Sequence, residues 1–137
     1  MAISLSSPAD GSTRCETIFH EASGTYVEVD EMQHFTSFRS ATLGDYPTDV
    51  TVGFEVGEYR ALCRRWSPTA DRYRFRKEAR GFGVGGRQRQ RAYYDALRDL
   101  AVVAMGQRPL LRIAAAEADA VMAYARARGV LLDTLGG

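Results

Sequence analysis

Within the ten residues Tyr26 to Phe35, YVEVDEMQHF, the chain places Glu28, Asp30, Glu31 and His34 without a single base before Arg39. Residues two apart on an extended strand project to the same side, so Glu28 and Asp30 present two carboxylates to one small volume. Like charges that close repel unless a cation lies between them, and hard oxygen ligands suit Mg²⁺ or Mn²⁺. Such an ion polarises a phosphodiester and lowers the pKa of an attacking water. A hairpin folded about Ser23-Gly24 would set Glu16 across from the Asp30 and Glu31 end, making a ligand set of Glu16, Glu28 and Asp30. His34, in the loop directly after, is placed to act as a general base or to orient water. The competing reading is an amphipathic hairpin whose acids face solvent.

The elements that must position these residues follow from pattern. Two alternating runs flank Ser23-Gly24 and predict a β-hairpin with strands near Cys15 to Glu21 and Thr25 to Asp30. Val27 and Val29 fall on one face, Glu28 and Asp30 on the other. Phe35 to Val52, including LGDYPTD, has loop chemistry. Tyr59, Leu62, Cys63 and Trp66 recur at helical spacing and predict a short helix ended before Pro68. The loop GFGVGG lacks the Lys-Ser/Thr of a phosphate-binding P-loop and reads as a hinge. From Arg87 to about Met105 runs the longest helical pattern, with Tyr93 or Tyr94, Leu97, Leu100, Ala101 and Ala104 as its core stripe and Gly106 as its stop. RPLLRIA then predicts a short buried strand, and AEADAVMAYARAR a closing helix. The expected order is β-β-α-α-β-α, a small α/β (α+β) fold with a mixed sheet flanked by helices.

A length of 137 residues with 45% hydrophobic content fits one globular domain, expected over 14–137 behind a loosely ordered lead-in, 1–13. Net charge is +1, so total charge does not select a polyanionic partner. Its distribution is uneven: twelve bases against three acids between Arg60 and Arg98. Arg87, Arg89, Arg91 and Arg98 on the long helix are the candidate phosphate contacts, with Tyr73, Phe75 and Phe82 as aromatics for unpaired bases. A ladder of surface salt bridges among Arg91, Asp95 and Arg98 is the alternative. Cys15, His20, His34 and Cys63 match no usual paired zinc spacing. Neither a signal-peptide pattern nor a run of eighteen apolar residues occurs, and a cytoplasmic location is expected.

In order and spacing, YVEVDEMQHF followed by RQRQRAYYDALRDLAVVAMGQRPLLRI resembles the core of the PD-(D/E)XK nuclease superfamily, in the branch around the very-short-patch-repair endonucleases. The matching positions are Glu16 on the first strand, Glu28 and Asp30 as the E-x-D pair, and His34 as the trailing histidine. Asp95 and Arg98 follow on the helix, then Leu111, Arg112 and Ile113 on the next strand. The branch commonly carries R-P-D where this chain reads Arg14-Cys15-Glu16, and a glutamate reaches the same ion with a longer arm. The resemblance implies a restriction-endonuclease-like core and metal-dependent cleavage of nucleic acid, DNA first, by Glu16, Glu28, Asp30 and His34 with Mg²⁺ or Mn²⁺. Cores of this type open with a helix, whereas the residues before Arg14 are mostly Ser, Ala and Gly. That helix is expected to be degraded or supplied by a protein partner or second copy. The other expectation is a module of this fold that binds nucleic acid or a protein without cutting.

Overall fold

The computed structural model describes residues 16–73, 81–83 and 85–117, with the single positions 122, 125, 128, 129 and 133. Two strands, β1 (Glu16–His20) and β2 (Thr25–Asp30), lead into a 3-10 turn, Met32–His34. Three helices follow, α1 (Ser37–Gly44), α2 (Val56–Ala70) and α3 (Gly86–Ala104), and then β3 (Leu111–Ala114). The fold is mixed α/β, as the patterning predicts. The lead-in, Cys15 and Phe75 lie outside the described residues, as does most of the expected closing helix, although Met122, Ala125, Arg128 and Gly129 are helical.

β2 is the central strand, antiparallel to β1 and parallel to β3. A four-residue connection closes the hairpin, with Gly24 at φ 66° donating its amide to the His20 carbonyl at 2.9 Å. Only a residue without a Cβ takes that conformation freely. Because the turn spans four residues rather than the two at Ser23-Gly24, the register differs from expectation. Glu16 stands opposite Val29, and Thr17 opposite Glu28. Residues directly opposite share a face, so it is Thr17 that belongs to the row of Glu28.

Both faces of β2 are buried. On one, Ile18, Val27, Val29 and Ile113 form an apolar cluster with Ala115. The other carries Glu28 and Asp30, each with no exposed surface, and lies beneath the helices rather than in water. A second apolar cluster, Phe35, Leu43, Tyr59 and Cys63, packs around it with Ala114, Phe54 and Trp66.

Helix α1 lies where the sequence reads as loop. Thr36 is extended and its hydroxyl accepts the Arg39 amide at 3.0 Å, the usual start of a helix. Two turns then bury Arg39 and Leu43, a period too short to register against the Gly, Asp and Pro that follow. Helix α2 runs through Pro68 to Ala70 instead of stopping before it. So near the end, the missing amide removes a bond from the last turn, not the middle. Helix α3 has the predicted bounds, and Gly106 ends it at φ 76°.

Its orientation is not the predicted one. Gln88, Ala92, Asp95, Asp99 and Val102 face inward. Leu97 and both Tyr93 and Tyr94, one of which was expected in the core stripe, are each about half exposed at 48%, 52% and 46%. The helix presents its acids to the interior and much of its apolar stripe to solvent.

Candidate functional site

The parallel register sets Arg112 of β3 directly beside Glu28, and that pairing organises the interior. Arg112 Nη1 donates to Glu28 Oε2 at 3.0 Å and to both Asp30 oxygens at 3.0 and 3.1 Å. Its Nε donates to Asp99 Oδ1 at 2.7 Å, and its Nη2 to the Asp95 carbonyl at 3.1 Å. Arg39 completes the other side of Asp99: its Nη2 reaches Oδ2 at 2.6 Å, where the Tyr46 hydroxyl also donates at 2.6 Å.

The remaining oxygens are likewise occupied. The Tyr59 hydroxyl donates to Asp30 Oδ2 at 2.6 Å, and Thr17 donates to Glu28 Oε1 at 3.2 Å. His34 Nδ1 lies 2.9 Å from Asp95 Oδ2 and 3.5 Å from Asp30 Oδ1. Arg98 bridges two acids, with Nη1 at 2.7 Å from Glu28 Oε1 and Nη2 at 3.0 Å from Asp95 Oδ1. Its side chain is 39% exposed while both carboxylates it joins have no exposed surface. Arg98 is therefore the lid of the cluster.

Four carboxylates, Glu28, Asp30, Asp95 and Asp99, meet three guanidinium groups, Arg39, Arg98 and Arg112, and one imidazole, His34. Charges of −4 and +3 balance when His34 carries a proton. Burial penalises every member, and only mutual pairing offsets that penalty. The offset is uneven. Burial pushes the Glu28 carboxyl up from its ordinary value despite Arg112 and Arg98. Burial pushes Asp95 up too, but the His34 hydrogen bond and charge, then Arg112 and Arg39, hold it well below the usual carboxylate range. Burial, and next the Asp30 charge, raise the Tyr59 hydroxyl, which stays a donor. Cys63 sits in apolar surroundings that push its thiol up to about 11, so it is an inert core residue.

The residues expected to bind Mg²⁺ or Mn²⁺ divide. Glu28, Asp30 and His34 are brought together, and Glu16 occupies the register position of the opposite sheet face. Arg112 bridges Glu28 and Asp30 where the ion was expected, so this donor set does not fit a cation as arranged. Among the described residues no group of three or more His, Cys, Asp or Glu side chains is disposed to hold a metal. Of the zinc candidates among the described residues, His20 Nδ1 lies 2.7 Å from Ser23 Oγ, Cys63 is in the apolar core and His34 is in the charged cluster.

The four candidate phosphate contacts divide as well. Arg87 and Arg89 are exposed on the first turn of α3, behind Gly85 at φ 71°. No acid lies in that turn, so two guanidinium groups add their charge to the positive end of the helix dipole. Arg91 is half-buried and donates to the Gln33 carbonyl at 3.4 Å. Arg98 is engaged with Glu28 and Asp95.

Asp99, Arg39, Tyr46 and Tyr59 were not legible as partners of the cluster. One signal was available: Arg112 stands alone between apolar neighbours in a strand otherwise suited to the core. Asp95 and Asp99, four apart on α3, supply the matching acids. No protein-family model matches the sequence, and neither a curated protein nor a solved structure matches it. No helix among the described residues is long and apolar enough to cross a membrane.

Proposed function

We propose that the chain is a nucleic-acid-binding module whose carboxylate–guanidinium cluster is a structural keystone, holding α3 so that Arg87 and Arg89 face a phosphate backbone. The observation that carries this reading is Arg112, whose guanidinium joins Glu28 and Asp30 in place of an exogenous cation. The resemblance to PD-(D/E)XK nucleases is consistent with it, since the residues of the E-x-D, His and D-x-x-R motifs do share one cluster. Phosphate contacts release counterions, so binding should weaken with salt. The test is affinity for DNA and RNA across a salt series. Arg87→Ala and Arg89→Ala should each lower affinity and reduce the log–log salt slope by about 1. Salt-independent binding, or equal affinity of the Arg87→Ala, Arg89→Ala double variant, would reject the reading.

A hydrolytic reading is favoured by one observation. Arg98 is the part-exposed member of the cluster and sits between Glu28 Oε1 and Asp95 Oδ1, so its withdrawal would remove a cationic partner from an oxygen of each. Cleavage that needs Mg²⁺ or Mn²⁺ and vanishes in a folded Asp30→Asn variant would put this reading first.

A further inference from the structure

The outward face of α3 carries more than arginines. Tyr93 and Tyr94 are about half exposed, at 52% and 46%, and meet edge-on with ring centroids 5.5 Å apart. Phe82, from the Gly-rich loop, meets Tyr93 at 5.9 Å. One turn toward the N-terminus, Arg89 lies over the Phe38 ring at 5.1 Å. Residues three, four and seven apart share a helix face, which puts Arg89 and Tyr93, and Arg87 and Tyr94, on common rows. The acids of α3 are Asp95 and Asp99, and both are buried.

We infer that Phe82, Tyr93 and Tyr94 form a stacking platform for unpaired bases, with Arg87 and Arg89 on the adjoining phosphates, so that the ligand is a single-stranded nucleic acid. The inference rests on the nucleic-acid reading above and narrows it. Aromatic rings offer π-faces that any base can match, and a base has a free face only when it leaves the duplex stack. A helix face combining rings and guanidinium groups, with its acids turned inward, is complementary to a flexible polyanion with flat hydrophobic bases. It is less suited to a second copy of the same basic surface, which would oppose arginine to arginine.

The experiment compares a labelled single strand with its duplex by fluorescence anisotropy, using the full chain and the Tyr93→Ala, Tyr94→Ala double variant. Both rings are exposed, so the variant should keep the parental circular dichroism spectrum and unfolding midpoint. The parent should prefer the single strand, and the double variant should lose roughly 5- to 100-fold in single-strand affinity with duplex affinity and salt slope unchanged. Tyr93→Phe should retain binding. Equal affinity for single strand and duplex, or an unaffected double variant, overturns the platform while leaving phosphate-led binding in place. Failure to bind either oligonucleotide removes both readings. Loss of a dimer in the double variant, seen by sedimentation, reassigns the patch to self-association.

Discussion

Around Arg112, three hydrogen-bonding edges of one guanidinium are matched by Glu28 and Asp30 of β2 and by Asp99 and the Asp95 carbonyl of α3. The planar fork makes this possible, and a lysine ammonium on a flexible stem does not reproduce it. Arg112→Met should therefore lower stability by about 3–5 kcal/mol, because it strands buried carboxylates rather than merely deleting a pair. Arg112→Lys should recover only part of the loss. The Arg65–Glu117 pair, 65% and 61% exposed, is the control, and Arg65→Met should stay within about 0.5 kcal/mol. Urea unfolding at neutral pH measures all three, and a loss below about 1 kcal/mol for Arg112→Met would mean that the cluster is hydrated. At this scale the sequence was half legible. Glu28, Asp30, His34, Asp95 and Arg98 could be singled out by type and spacing. That Arg112 neutralises two of them could not, because it lies 84 and 82 residues away and periodicity is a local signal.

The elements were legible where their patterns are long or punctuated. The hairpin and α3 appear within a residue or two of expectation, as strong alternation and a long helical run allow, and β3 ends where expected but starts three residues later, at Leu111. Helix α1 was missed for want of length, and one of its two inward residues is Arg39, which a search for apolar stripes passes over. The orientation of α3 failed for the same reason. Binary patterning assumes that apolar residues go inward, whereas the charged cluster needs Asp95 and Asp99 there and turns Tyr93 and Leu97 out. One close approach fixes the far edge of the sheet. Gly53 bridges to Leu111, and a Cβ there would run into the Leu110 carbonyl. Gly53→Ala should then cost about 1–3 kcal/mol through forced displacement of backbone, whereas alanine at exposed Leu97 should change little. Equal unfolding midpoints for the two variants would show that the edge yields without strain.

Over the whole molecule, the cluster makes stability respond to pH in two opposed steps. Asp95 is held below its ordinary 3.8, so its contribution is complete above that pH and drains away as the pH falls further. Glu28 is lifted above its ordinary 4.5, so the folded chain takes its proton first; this contribution is fullest in acid and is lost as the pH rises through the lifted value. The stability gap between the parent and Asp95→Asn should accordingly narrow below about pH 4, and Glu28→Gln should flatten the profile above it. Urea midpoints between pH 7 and about 2.5 decide this, and a constant Asp95→Asn gap would mean that its pairing with His34 is not ionic. The parallel pairing of β2 with β3 has a further consequence, in time rather than in energy. As the chain leaves the ribosome, the hairpin and helices α1, α2 and α3 emerge before β3 does. Until then four carboxylates wait with Arg39 and Arg98 as their only guanidinium partners within the cluster, and the sheet has no third strand. Long-range closure of this kind is slow. The third strand and the cluster's bridging guanidinium can be added only once Arg112 is translated and clear of the exit tunnel.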